Sequence, residues 1–174
     1  MSYLKPPVSD ADNMQGNKNA VIELVEFGDY QCEHCGHAYP IIKMLQKKLG
    51  ANLKFVFRNF PLSEMHPNAL NTAVAAETAS AQDKFWQMHD VIFENQQHLT
   101  DANLINYAAK IGLDIEQFKA DFQTPKYIGK VDADFESGVR SGVNGTPSFY
   151  INGEKYNGNW EEDEFLEYLQ TFIS

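Results

Sequence analysis

Glu26-Phe27-Gly28-Asp29-Tyr30-Gln31-Cys32-Glu33-His34-Cys35 holds both cysteines of a 174-residue chain, three positions apart. A pair that close cannot staple distant parts of a fold, so it is not the disulfide framework of a small secreted domain and needs a chemical explanation. Before it, Val21-Ile22-Glu23-Leu24-Val25-Glu26-Phe27 is β-branched and mostly apolar, as a central strand requires, and breaks at Gly28-Asp29. After it, Tyr39, Ile41, Ile42, Leu45 and Leu49 share one side at helical spacing, up to Gly50. Cys32 therefore stands where a strand ends and a helix begins. A thiolate there faces the unpaired N–H groups of the first turn and the positive end of the helix dipole, which lower its pKa. Cys35, one turn later, is close enough to form a short disulfide and to resolve a mixed one.

The neighbours of the pair modulate this chemistry. His34 can donate a hydrogen bond or bring charge to the Cys32 thiolate, which makes the disulfide more oxidising; Glu33 opposes it, though an exposed carboxylate is screened. Glu26 is an acid in an apolar strand, costly to bury without a reason. It is expected to accept a proton from Cys35 when a mixed disulfide resolves, unless it points out of a sheet edge. Glu23 falls on the opposite face and is expected to be exposed. A Cys-x-x-Cys is also half of a zinc site. His37 and His66 could be proposed as the remaining ligands, but there is no second Cys-x-x-Cys and no His-x₃₋₅-His pair. Redox chemistry is the favoured reading, with a zinc-binding interaction module as its rival.

Leu53-Lys54-Phe55-Val56-Phe57-Arg58-Asn59-Phe60 reads as a second strand closed by Pro61, making a βαβ unit with a parallel pair and right-handed crossover. Pro40 sits inside the intervening helix and is expected to kink it. From about 67 to 140 there is helix after helix and no convincing strand. Ala69–Ala81 is Ala-rich and Phe85–Phe93 amphipathic. Thr100-Asp101 can cap a helix through Ala109, and Asp114 with Gln117 resembles a capping box. His89, His98, Trp86 and Met88 in this block are read as surface or core residues. Gly145-Thr146-Pro147 then leads into Ser148-Phe149-Tyr150-Ile151, the hairpin signal Asn152-Gly153, Glu154-Lys155-Tyr156 and a helix over about 161–173. The expected organisation is an α/β structure: an N-terminal arm over 1–19, a βαβ half over 20–64, a helical subdomain over 65–141 and a ββα half over 142–174.

Hydrophobic residues make up 43% of the chain and aromatics 13%, enough for a packed core. A formal charge of −10 with 14 scattered basic residues argues against nucleic acid and against an anionic membrane surface. No stretch has the length of a membrane span, and the start lacks the charged and apolar regions of a signal peptide. A cytoplasmic location is the expectation, or a periplasmic one if the chain is a trimmed mature form.

Together the Glu26–Cys35 run, Pro40, the Val143-Asn144-Gly145-Thr146-Pro147 loop and the helical insert resemble the DsbA-like thiol oxidoreductases of the thioredoxin-fold superfamily, over nearly all of 20–173. The resemblance implies a thioredoxin fold with an inserted helical subdomain. It makes Cys32 the nucleophile open to substrate, Cys35 the buried resolving thiol and Glu26 the buried acid. Pro147 would be the family's cis-proline against the disulfide, with Thr146 lending backbone groups to a substrate peptide in β-strand fashion. It further implies protein or peptide thiols and disulfides as substrates, a redox partner, no bound cofactor and, as expected here, a monomer. Glu33 departs from the pattern, because strongly oxidising periplasmic members carry Pro there. Glutathione-dependent transferases and 2-hydroxychromene-carboxylate isomerase-like enzymes resemble the same architecture but generally lack the paired cysteines.

Overall fold

The computed structural model describes all of residues 1–174. In chain order it contains β1 (Asn13–Gly16), β2 (Ile22–Gly28), α1 (Glu33–Leu49), β3 (Leu53–Asn59), α2 (Ala69–Ser80), α3 (Phe85–Phe93), α4 (Asp101–Lys110), α5 (Ile115–Phe122), α6 (Ile128–Ser141), β4 (Ser148–Ile151), β5 (Glu154–Tyr156) and α7 (Glu162–Gln170). The five strands form one mixed sheet in the order β1-β3-β2-β4-β5, in which only β2 and β3 are parallel. This is the thioredoxin fold, with α2 to α6 inserted between β3 and β4. No helix is long and apolar enough to cross a membrane.

Alternation along the strands sorts side chains onto two faces. Ile22 and Leu24 of β2, Phe55 and Phe57 of β3, and Phe149 and Ile151 of β4 enter the large core shared with α1, the helical block and α7. Val25, Phe27, Val56 and Tyr150 enter a smaller core completed by Leu4, Phe60 and Val143. Both faces are covered, which is why β2 and β3 read as nearly continuous apolar runs. The turn between β4 and β5 has Asn152 at φ 48° and Gly153 at φ 87°, two left-handed residues in succession as a type I′ hairpin requires. α1 runs unbroken through Pro40.

The arm over 1–19 is more than a lead-in. Its Asn13–Gly16 segment pairs antiparallel with β3 as an edge strand. Four residues, Asn-Met-Gln-Gly, carry no period-2 pattern, so the strand exists because β3 has an open edge to offer. The segment before it is strapped down by Arg58, which donates to both carboxylate oxygens of Asp12 (2.7 and 2.9 Å), to Ser137 Oγ (2.8 Å) and to the Pro6 carbonyl (3.0 Å). Glu23, expected to be exposed, is half-buried and ion-paired to Lys54 at 2.7 Å; cross-strand partners in register neutralise each other and cover each other's stems.

Buried polar contacts anchor the helical block to the sheet. Asn59 at the end of β3 donates from Nδ2 to Glu77 Oε1 (2.8 Å) and Asp134 Oδ2 (3.0 Å), and Lys130 Nζ lies 2.6 Å from Asp134. The helix starts follow the expected chemistry. Thr100 opens α4 in a reciprocal capping box with Asn103, and the Asp114 side chain accepts from Gln117 N–H at the start of α5. Within the block, Met88 is fully buried and His89 is a satisfied core residue bonded to the Tyr30 hydroxyl at 2.9 Å. Trp86 donates from Nε1 to the Met14 carbonyl at 3.0 Å.

Candidate active site

β2 delivers the chain to Gly28, and a tight turn turns it into α1. Asp29 builds the turn: its carbonyl accepts from Cys32 N–H at 3.1 Å and its Oδ1 from Gln31 N–H at 2.8 Å. Cys32 then occupies the cap position of α1, with extended backbone (φ −73°, ψ 124°). Its sulfur stands where a Ser or Asp would accept from the N–H groups two and three residues on, which are those of His34 and Cys35. A neutral thiol accepts poorly and makes no cap bond, whereas a thiolate accepts well.

Both cysteines are free thiols; Cys32 is 6% exposed and Cys35 is fully buried. The Cys32 thiol is pulled down to about 5, chiefly by a hydrogen bond from the Cys35 thiol, with further help from Thr146 and the Cys35 and His34 N–H groups, and against the effect of its own burial. Cys35 moves the other way. Burial pushes it well up, reinforced by its hydrogen bond to Cys32 and by charge on Glu26 and Cys32. Two identical side chains one turn apart thus differ strongly in acidity because one sits at the helix mouth and the other beneath it.

Glu26 lies on the large-core face of β2 beside Leu24, 2% exposed, and its Oε1 has no hydrogen-bond partner. Burial, and secondarily charge on Cys32, push it up to about 8, so it is protonated at neutral pH. It does not point out of a sheet edge. Thr146 arrives from the far end of the chain: its carbonyl is 3.6 Å from Cys32 Sγ, and its buried hydroxyl has no partner in the thiol form. The Thr146–Pro147 peptide bond is cis. His34 lines the cleft beside Cys32, but its imidazole is exposed and makes no hydrogen bond; the group it offers the sulfur is its backbone N–H.

The fold also brings in residues that local sequence does not flag. Gln96, between α3 and α4, donates from Nε2 to the carbonyls of Tyr30 (2.9 Å) and Cys32 (2.6 Å), clamping the strand-to-helix turn. Asp29 is 1% exposed and accepts through Oδ2 from Leu62 N–H (2.9 Å) and from His66 Nδ1 (2.8 Å). For Asp29 the signal was available, an acid set directly after an apolar strand. For Gln96 there was none, since its partners are more than sixty residues away. The two histidines considered as zinc ligands are engaged elsewhere, His37 with Glu161 at 3.1 Å and His66 with Asp29. No group of three or more His, Cys, Asp or Glu side chains is arranged to hold a metal ion. Cys32, Gln31, His34, His66, Asn144 and Thr146 are among the residues lining an open cleft of about 660 Å³.

The family model described as Thioredoxin matches residues 9–171. Among curated proteins, the chain is 34% identical over 173 residues to "Na(+)/H(+) antiporter NhaA 1" of Mycobacterium sp. (strain KMS), covering 98% of this chain and 28% of that protein. It is 37% identical over 159 residues to "Na(+)/H(+) antiporter NhaA" of Herminiimonas arsenicoxydans, covering 91% and 25%. The chain thus spans about a quarter of the length of these relatives. Its structure is similar to oxidised BdbD from Bacillus subtilis, with TM-score 0.87 and 23% identity over 99% of this chain and 98% of that one. It is also similar to the thiol-disulfide exchange protein alpha-DsbA2 from Wolbachia pipientis, with TM-score 0.83 and 21% identity over 95% and 89%. A thioredoxin-like oxidoreductase from Silicibacter pomeroyi DSS-3 gives 0.82 and 24% over 95% and 93%. At these identities the solved structures establish the shared fold. With a family model spanning nearly the whole chain, the protein belongs to the thioredoxin family.

Proposed function

We infer that the chain is a thiol–disulfide oxidoreductase acting on protein or peptide substrates through Cys32 and Cys35. The observation that carries this is the unequal placing of the two thiols: Cys32 caps α1 in the open cleft, its thiol lowered by the hydrogen bond from Cys35, while Cys35 lies fully buried one turn beneath, its thiol pushed up by burial. It fits a pair in which the first sulfur is the stable thiolate and leaving group and the second closes the ring. In the oxidising direction a substrate thiolate attacks Cys32 of the disulfide, and Cys35 leaves and takes the proton held by Glu26. A second substrate thiol then attacks the substrate's own sulfur in the mixed disulfide and releases the Cys32 thiolate. Thr146, whose carbonyl lies 3.6 Å from Cys32 Sγ, offers backbone to an extended substrate segment. The names of two fold relatives, a thiol-disulfide exchange protein and a thioredoxin-like oxidoreductase, support the same chemistry.

Stabilising the Cys32 thiolate stabilises the reduced protein and favours transfer of the disulfide to substrates. The reading therefore includes an oxidant's direction and a redox partner that restores the Cys32–Cys35 disulfide. Thiol exchange with insulin or a model peptide tests it. Cys32→Ser is expected to be inactive, and Cys35→Ser to accumulate mixed disulfides that reductant releases. Exchange that survives loss of Cys32 would refute the assignment.

A further inference from the structure

Asp29 serves two structures at once. Oδ1 builds the turn into Cys32 through Gln31 N–H, while Oδ2 holds the loop after β3 through Leu62 N–H and the His66 ring. A second tie, Asn68 N–H to Gln31 Oε1 at 2.8 Å, locks that loop to the same turn. The Asp29 side chain has no solvent exposure, so its carboxylate is a fixed acceptor that selects a proton on Nδ1 of His66 and leaves Nε2 as the free nitrogen. Nε2 makes no protein hydrogen bond, and the His66 side chain, 22% exposed, lines the cleft that also holds Cys32. The other imidazoles are placed differently: His37 is engaged by Glu161, His89 lies in the core against Tyr30, no side chain holds the exposed His34, and the exposed His98 does not line the cleft.

A buried carboxylate that orients an imidazole, whose far nitrogen makes no hydrogen bond and whose ring lines the same cleft as a reactive sulfur, is an arrangement for proton transfer. We propose that His66 is the proton acceptor for the incoming substrate thiol; this rests on the thiol–disulfide reading of the site. The substrate R–SH gives its proton to His66 Nε2 as its sulfur bonds to Cys32 Sγ. The Cys32–Cys35 bond breaks, and its electron pair leaves on Cys35 Sγ, which takes the proton from Glu26. The products are R–S–S–Cys32, the Cys35 thiol, a His66 imidazolium and a Glu26 carboxylate. The substrate sulfur is oxidised and Cys35 is reduced. In reverse, the imidazolium returns the proton to the departing thiolate.

The test is a single turnover of the oxidised full chain at neutral pH with two probes. One is a peptide with an ordinary cysteine thiol, the other thionitrobenzoate, an aromatic thiol already ionised and in no need of a base. In His66→Gln, whose amide can still donate to Asp29, the ratio of peptide rate to thionitrobenzoate rate is expected to fall about tenfold or more. In His66→Ala, added imidazole is expected to restore the peptide rate. Equal slowing of both probes would reduce His66 to a loop support, and an unchanged ratio or absence of imidazole rescue would equally overturn the proposal. If the unaltered oxidised chain reacts with neither probe, it is the underlying thiol–disulfide assignment that fails.

Discussion

Glu26 sets a pH dependence that can be isolated from the rest of the protein. Its carboxyl is protonated in the fold up to about pH 8 but ionises near 4.5 in the unfolded chain. Between those values the native state binds the extra proton, so this residue's contribution is greatest below pH 4.5 and declines as pH rises to about 8. At roughly 1.4 kcal/mol per unit, that amounts to on the order of 3 kcal/mol by pH 7. Urea unfolding of the reduced protein should therefore show Glu26→Gln matching the parent near pH 4 and exceeding it at pH 7 to 8; parallel profiles would show that Glu26 binds no extra proton in the fold. Cys32 behaves in the opposite sense. Its thiol is lowered from 9.0 to about 5, which favours the reduced fold increasingly as pH rises between those values and loses that contribution as pH falls through 5. The Thr146 hydroxyl shares in this and has no other partner. In Thr146→Val the Cys32 titration, followed by thiolate ultraviolet absorbance, is expected to move upward and the reduction potential to fall. The unaltered pair should lie above the roughly −270 mV of a reducing thioredoxin. An unmoved titration would assign the lowering to the Cys35 thiol and the helix-mouth N–H groups without Thr146.

At the scale of elements, α6 crosses the sheet at a glycine. A Cβ added to Gly138 would come within 2.5 Å of the Phe60 ring and 3.2 Å of Phe27, both buried. Alanine would raise helix propensity by up to about 1 kcal/mol, while overpacking of this kind costs about 1–3 kcal/mol. Contact wins, and Gly138→Ala is expected to lower the denaturant midpoint although the same change on an open helix would raise it. α4 supplies a contrast, since its start depends on local chemistry. Replacing Thr100 by Ala removes the side-chain acceptor for Asn103 N–H and is expected to cost about 1 kcal/mol, with the active-site chemistry unchanged. Both are read from midpoints at constant denaturant slope.

Across the whole molecule the second face of the sheet is closed by the chain's own start, and Arg58 holds it there. Arg58 is 3% exposed, and its partner Asp12 has a 6% exposed side chain. Burial pushes the Asp12 carboxyl up, yet the Arg58 guanidinium holds it below its ordinary value. Removing one member of a buried, multiply bonded pair strands the other without its partner, at a cost of roughly 3–5 kcal/mol. Arg58→Ala is thus expected to loosen residues 1–12 and to raise amide exchange along β1 and β3. A stability loss under about 1 kcal/mol would show that the strap is held by Leu4 and Val8 packing instead.

Elements with a local cause were legible in the amino-acid order. The β2–α1–β3 unit announced itself through period and punctuation, the α4 and α5 starts through their caps, and the β4–β5 hairpin through Asn152-Gly153. The cysteine pair was legible for the same reason, because strand end, cap position and second thiol are neighbours along the chain. β1 was not, since a four-residue edge strand without period-2 patterning takes its conformation from the partner it meets. Nor could sequence decide that Glu26 faces inward without a partner, that Thr146 reaches Cys32 across 114 positions, or that Asp29 grips His66. The order of residues determined that two cysteines sit at a helix mouth. Their unequal acidity was decided only when packing buried Cys35, excluded water from Glu26 and set Thr146 beside Cys32, because desolvation and hydrogen bonding depend on neighbours in space.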